Sequence, residues 1–158
     1  MRKVVAIALL SVTAALLAAP AWAGPTRKDW HIEAEAVCTH FKRSVFTALG
    51  QQRPAVGPRA LQLNARRAIG TLARLSLRTD DALGKLTLPK GQQAALRRAL
   101  ASDRRGAHVA LRFAATLGGY RTIAAYKAAT RRFQRTYDRA ERPWTSFTRS
   151  ARLQACET

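Results

Sequence analysis

The chain has 158 residues, with 28 Lys or Arg against 9 Asp or Glu, for a formal net charge of +19. That length suits one domain with a real core and excludes two comfortable ones, while the charge attracts polyanions and anionic surfaces whether or not binding was selected. Because 22 of the basic residues are Arg and Ala is abundant, part of the imbalance also fits the codon bias of a high-GC genome.

The first residues read as an address. Arg2 and Lys3 form a basic n-region, Val4 to Ala19 an apolar h-region, and Ala21-Trp22-Ala23 a small-x-small cleavage signal. This predicts a signal peptide over residues 1–23 with cleavage before Gly24. The alternative is a membrane anchor, but the apolar run covers only about 24 Å of helix against a hydrocarbon core of roughly 30 Å. Removal leaves a domain at 24–158 with no transmembrane segment, lowers the net charge from +19 to +17, and predicts a secreted or cell-envelope location. Cys38 and Cys156 remain after export, and an even number in an oxidising compartment reads as one disulfide, the alternative being two buried thiols.

Thr26-Arg27-Lys28-Asp29 is a capping-box pattern that starts a first helix. Trp30, Ala34, Val37, Phe41, Val45, Ala48 and Leu49 share one face of it, and Gly50 is expected to end it as a left-handed residue. Gln51 to Gly57 is a loop, and Pro58 can open a second helix, where its missing N–H costs nothing. Leu61, Ala65, Ala68, Leu72, Leu75, Leu83 and Leu86 mark the expected buried stripe of that helix. Thr79-Asp80-Asp81 interrupts the pattern without changing its phase, so one long helix is favoured over two. Leu88-Pro89 then breaks the chain.

A third helix is expected from about Lys90 to Leu117, with Leu96, Leu100, Asp103, Ala107, Ala110, Ala114 and Leu117 on its stripe. Small residues dominate that stripe and would let a bulky neighbour approach. Gly118-Gly119 gives a reversal, and a fourth helix should begin near Tyr120. Its stripe is aromatic: Tyr126, Thr130, Phe133, Tyr137, Ala140, Trp144, Phe147 and Ala151, the seam around which the fold is expected to organise. Pro143 lies inside this helix and predicts a kink at about Arg139 to Pro143 rather than a break. The fold class is therefore all-α, an antiparallel up-down-up-down four-helix bundle with a kinked last helix. A Cys38–Cys156 bridge requires the last residues to stop short or fold back.

The sequence carries no catalytic constellation. Cys38 and His40 are two apart on a helix and lie nearly opposite each other; no G-x-S-x-G elbow and no phosphate-binding glycine loop is present. His31 and His40 point to opposite sides, no Cys-x-x-Cys-His occurs, and the one Met is Met1, so neither a metal nor a haem cofactor is expected. Asp80 and Asp81 read as helix punctuation. Asp103 points inward, either as a buried acid with a raised pKa or, as the favoured reading, paired with an arginine of the next helix. An enzyme is the third reading, which a closed pocket holding Asp103 and a histidine would favour.

The distribution of charge is more informative than its size. The first helix carries +1, whereas the second, third and fourth, taken as Pro58–Leu86, Lys90–Leu117 and Tyr120–Arg152, carry +4, +5 and +7. Arg131, Arg132, Arg135, Arg139, Arg142 and Arg149 lie opposite the aromatic stripe and form a candidate anion-binding face. Partners of that chemistry outside the cell are anionic cell-wall polymer, an anionic lipid surface or extracellular nucleic acid. The expected function is accordingly a non-enzymatic envelope or extracellular protein that binds anionic polymers or surfaces. The alternative is a structural or protein-interaction bundle with incidental charge, which would carry an apolar surface patch elsewhere.

Glu35-Ala36-Val37-Cys38, Leu86-Thr87-Leu88-Pro89 and the closing Ala151-Arg152-Leu153-Gln154-Ala155-Cys156, behind a signal peptide, resemble a loose group of small exported proteins of high-GC bacteria. The resemblance spans the mature chain and implies a disulfide-closed helical bundle. It brings no activity with it.

Overall fold

The computed structural model describes residues 26–51, 55–88 and 91–156. The predicted signal peptide, Pro54 and Pro89 lie outside the described residues. Four α-helices follow one another, α1 (Arg27–Gly50), α2 (Pro58–Lys85), α3 (Gln93–Thr116) and α4 (Ile123–Ala151), before a short 3-10 turn, η1 (Gln154–Cys156). Among the described residues there is no strand, and each helix packs on the next in sequence, as an antiparallel four-helix bundle requires.

The caps show why the helices start where they do. Thr26 Oγ1 accepts the Asp29 N–H at 3.2 Å while Asp29 Oδ2 accepts the Thr26 N–H at 3.0 Å, the reciprocal capping box read from the sequence. Pro58 occupies the first turn of α2 after Gly57, whose φ of 87° only glycine adopts readily. α4 begins at Ile123 rather than near Tyr120, because Thr122 Oγ1 takes the Ala125 N–H at 3.1 Å and fixes the start there. α2 is continuous through Thr79-Asp80-Asp81. α4 is likewise continuous through Pro143, and next to the carbonyl that the proline leaves without an N–H, the Ser102 hydroxyl donates to the Ala140 carbonyl. Gly50 departs from expectation. It remains inside α1, and the helix reaches its C-cap at Gln51 in a right-handed conformation, so the left-handed turn is at neither Gly50 nor Gln51.

The centre of the bundle is α3, not the aromatic seam of α4. All seven residues of the predicted α3 stripe are buried, whereas of the α4 stripe only Trp144 is; the rest are half-buried. The reason is position: α3 lies between α2 and α4, and α4 has α3 as its one extensive helical neighbour. The small residues of α3 do admit the aromatic side chains, with Phe133 and Tyr137 packed on Ala107 and Ala110. Phe133 also stacks on Phe113 at 4.3 Å between ring centres.

α2 is rotated relative to its predicted stripe. Its buried residues are Gln62, Gly70, Ala73, Asp80 and Leu83, while Leu72 and Leu75 are half-buried and Leu61 is exposed. The line of small and polar residues faces α3, and Leu75 lies on the α1 side near Phe41. Of the predicted stripe Leu83 alone is fully buried; leucine counting misses the rest of the line because the tighter interface takes the smaller side chains.

The chain closes on itself through its tail. Arg152 adopts φ 57°, a left-handed cap that turns the backbone sharply, and Leu153 behind it is fully buried. This fold-back delivers Cys156 to Cys38, with a Cα–Cα distance of 5.0 Å across the disulfide. Glu35 accepts the Ala155 N–H at 2.9 Å and Lys42 Nζ donates to the Gln154 carbonyl at 3.3 Å, so α1 holds the turn from both sides of the bridge. Trp30, Cys38, Leu83, Leu96, Leu100, Trp144 and Leu153 form the core around this closure.

Candidate functional site

The six predicted arginines of the α4 face, Arg131, Arg132, Arg135, Arg139, Arg142 and Arg149, are all exposed, on the side opposite the half-buried aromatics. Among the described residues only Arg104 has a carboxylate within 4.0 Å, so these six guanidinium groups keep their donors for other partners. They span about 27 Å of helix from Arg131 to Arg149.

A second feature sits inside. Two apolar cores, one around Trp30, Leu96 and Leu153 and one around Ala73, Ala107 and Ala110, are separated by a polar layer at one level of α2, α3 and α4. Asp80 comes from α2, Asp103 from α3 and Glu141 from α4. Asp80 is 0% exposed and Asp103 7%. Asp103 does not pair with an arginine of the next helix; its Oδ2 accepts the Ser76 hydroxyl at 2.9 Å. The nearby arginine is Arg104, half-exposed, whose Nε lies 3.8 Å from Asp80 while its Nη2 binds Asp81 at 2.7 Å. The tighter bond draws the guanidinium toward solvent and leaves Asp103 with hydroxyl and acid neighbours.

Gly106 completes the layer. It is a mid-helix glycine in α3, and a Cβ built on it would fall on the Glu141 carboxyl, with Cδ at 2.9 Å and Cγ at 3.3 Å. Its missing side chain is the slot in which Glu141 lies.

As ionised groups, neither oxygen of Asp80 nor Oε1 of Glu141 has a donor within reach. Burial pushes the Asp80 carboxyl up to about 9, reinforced by the charge of Asp103 and by a hydrogen bond to it, against a smaller opposing pull from Arg104. Burial also pushes Glu141 up to about 9, again with help from the charge of Asp103 and a hydrogen bond to it. Both act as neutral acids at neutral pH and donate toward Asp103, an arrangement that ionised carboxylates cannot make. Tyr137 is raised as well, by burial and then by Glu141, Asp103 and Asp138.

Comparison with protein families, curated proteins and solved structures gives no match. The chemistry therefore rests on this chain's own residues. Alongside the polar layer runs a cavity of about 360 Å³ lined by residues of all four helices, from Ile69, Ala110 and Phe133 past Asp103 and Glu141 to the disulfide at Cys38 and Cys156. Asp103, Glu141, Ser76 and Tyr137 line it together with Phe133 and Trp144; His31, His40 and His108 do not. Among the described residues no three His, Cys, Asp or Glu side chains are arranged to hold a metal ion, and no helix is long and apolar enough to cross a membrane.

Asp103 was legible as an inward acid, but Asp80 and Glu141 were not. Asp80 sat in a stretch that reads as a helix break, and Glu141 lies on the flank of its stripe. Gly106, three residues after an inward aspartate, was the available signal.

Proposed function

We propose that this protein is a non-enzymatic component of the cell envelope or extracellular space that binds anionic polymers or surfaces through the arginine face of α4. The observation that carries the reading is the set of six exposed arginines without a carboxylate partner among the described residues. Each retains the planar fork that matches phosphate or carboxylate, and together they offer a track rather than a pocket. Recognition of this kind has little sequence dependence and a steep salt dependence. If about four phosphates of a duplex are engaged, affinity falls about a hundredfold from 50 to 200 mM salt. The disulfide and the predicted signal peptide support an extracytoplasmic setting.

The test is retention of the oxidised protein on anionic liposomes, cell-wall material and DNA across a salt series, with Arg131→Glu/Arg135→Glu alongside. Expected are a preference for one of the three, its steep loss with salt, and weaker retention of a variant that melts like the parent. Unchanged retention of the variant would sink the proposal.

A structural or protein-interaction role with incidental charge is the second reading, supported by a separate observation. Phe46 is 76% exposed, Val56 91%, Leu61 56% and Ile123 60%. All four belong to the bundle end that carries the α1–α2 and α3–α4 connections, where Gln62 holds Gly118 and Tyr120 through three hydrogen bonds. Phe46→Ser/Val56→Ser would then abolish partner capture and leave salt-dependent retention untouched.

A further inference from the structure

We infer that the cavity beside Asp103 and Glu141, lined by all four helices, is a binding site for a small organic cation, an ammonium group attached to a compact apolar or aromatic body. The inference is independent of the arginine face. This partly open space of about 360 Å³ falls within the size range of ligand pockets and has room for about a dozen water-sized groups. Its walls are mostly apolar, from Ile69, Leu72, Ala110 and Phe133, and its polar groups converge at one side, where Asp103 and Glu141 approach from two helices.

The charge of the site is opposite to that of the molecule. A chain of net charge +19 with nine acidic residues brings three of them into one buried layer. No Lys or Arg lines the cavity to answer them, and Arg104 is drawn aside by Asp81. Fully enclosed Asp80 and the inner oxygen of Glu141 lack donors, so the layer holds together only by carrying protons. An ammonium group supplies three N–H donors and a positive charge beside Asp103, which lines the cavity with Glu141. Tyr137 and Trp144 beside the acids add aromatic rings, which attract cations, and the apolar walls take the body of the ligand. An anion would meet Asp103, and a neutral molecule would leave its charge unanswered.

The experiment uses the oxidised protein and two probes of the same shape, 2-phenylethylamine and 2-phenylethanol, titrated by calorimetry and by tryptophan fluorescence, since Trp144 lines the space. The amine is expected to bind at one site at least about tenfold more tightly than the alcohol, the margin of a charge-assisted hydrogen bond. Asp103→Asn should erase that preference. Ala110→Leu, which fills the space from α3 and leaves the acids in place, should abolish amine binding in a protein that melts no lower than the parent. Equal affinities for the two probes, absence of binding at millimolar concentrations, or amine binding that survives Ala110→Leu would each overturn the assignment.

Discussion

Replacing Asp80 by Asn tests the polar layer most directly. The Asp80 carboxyl is fully enclosed, and its pKa rises from 3.8 to about 9. A raised folded-state value means that the folded chain keeps a proton that the unfolded chain releases. Its contribution to stability is fully present below about pH 4, shrinks through the window between 3.8 and 9, and is gone above it. One such proton gives a slope of about 1.4 kcal/mol per pH unit. Carried from 3.8 to neutrality, this sets a ceiling of about 4 kcal/mol. Asparagine keeps an N–H donor toward Asp103 and never ionises. Asp80→Asn should therefore match the parent near pH 4 and exceed it by about 2 to 4 kcal/mol at neutral pH. Urea unfolding of both proteins from about pH 4.5 to 8.5 measures the difference. Glu141 titrates in both, so the parent line should fall roughly twice as steeply as the variant line. Parallel lines would refute the claim that Asp80 holds a buried proton.

Gly106→Ala should destabilise by about 1 to 3 kcal/mol, despite alanine's higher helix propensity, because the new methyl group meets the Glu141 side chain. Adding Glu141→Ala should return most of that loss in a double-mutant cycle, and additive effects would show that the slot is not shared. Cys38→Ala/Cys156→Ala should cost about 4 to 5 kcal/mol in the chain-entropy account of a loop this long, measured as urea midpoints of oxidised protein against variant. A loss below about 1 kcal/mol would mean that the tail turn is held by Leu153 and the Glu35 cap alone.

Local chemistry was readable wherever one stretch of chain decides the outcome. The Thr26 and Asp29 box, Pro58 at the start of α2, the α3 stripe and the need for a fold-back before Cys156 all follow from neighbours in sequence. Features set by two or three helices together were not readable. The stripe of α2 is right at Leu83 and misplaced elsewhere, because leucine is more conspicuous than the glycine, alanine and aspartate that take the closer contact. Of the candidate sites, the arginine face could be placed from spacing alone. The acid trio could not, because Asp80 and Glu141 lie 61 residues apart and acquire meaning only against Asp103.

The polar layer also limits how the helices can slide. Apolar seams tolerate sliding, since an alanine meets another alanine one turn further on at little cost. Moving α4 by one turn, about 5.4 Å, would take Glu141 out of the Gly106 slot and press an acid into alanine-lined core. The same slip would separate the Ser102 hydroxyl from the Ala140 carbonyl. Three acids that add little to stability at neutral pH therefore select one alignment among several that the apolar pattern alone would accept. In a chain whose arginines repel one another along most of its surface, the interior carries the information about alignment.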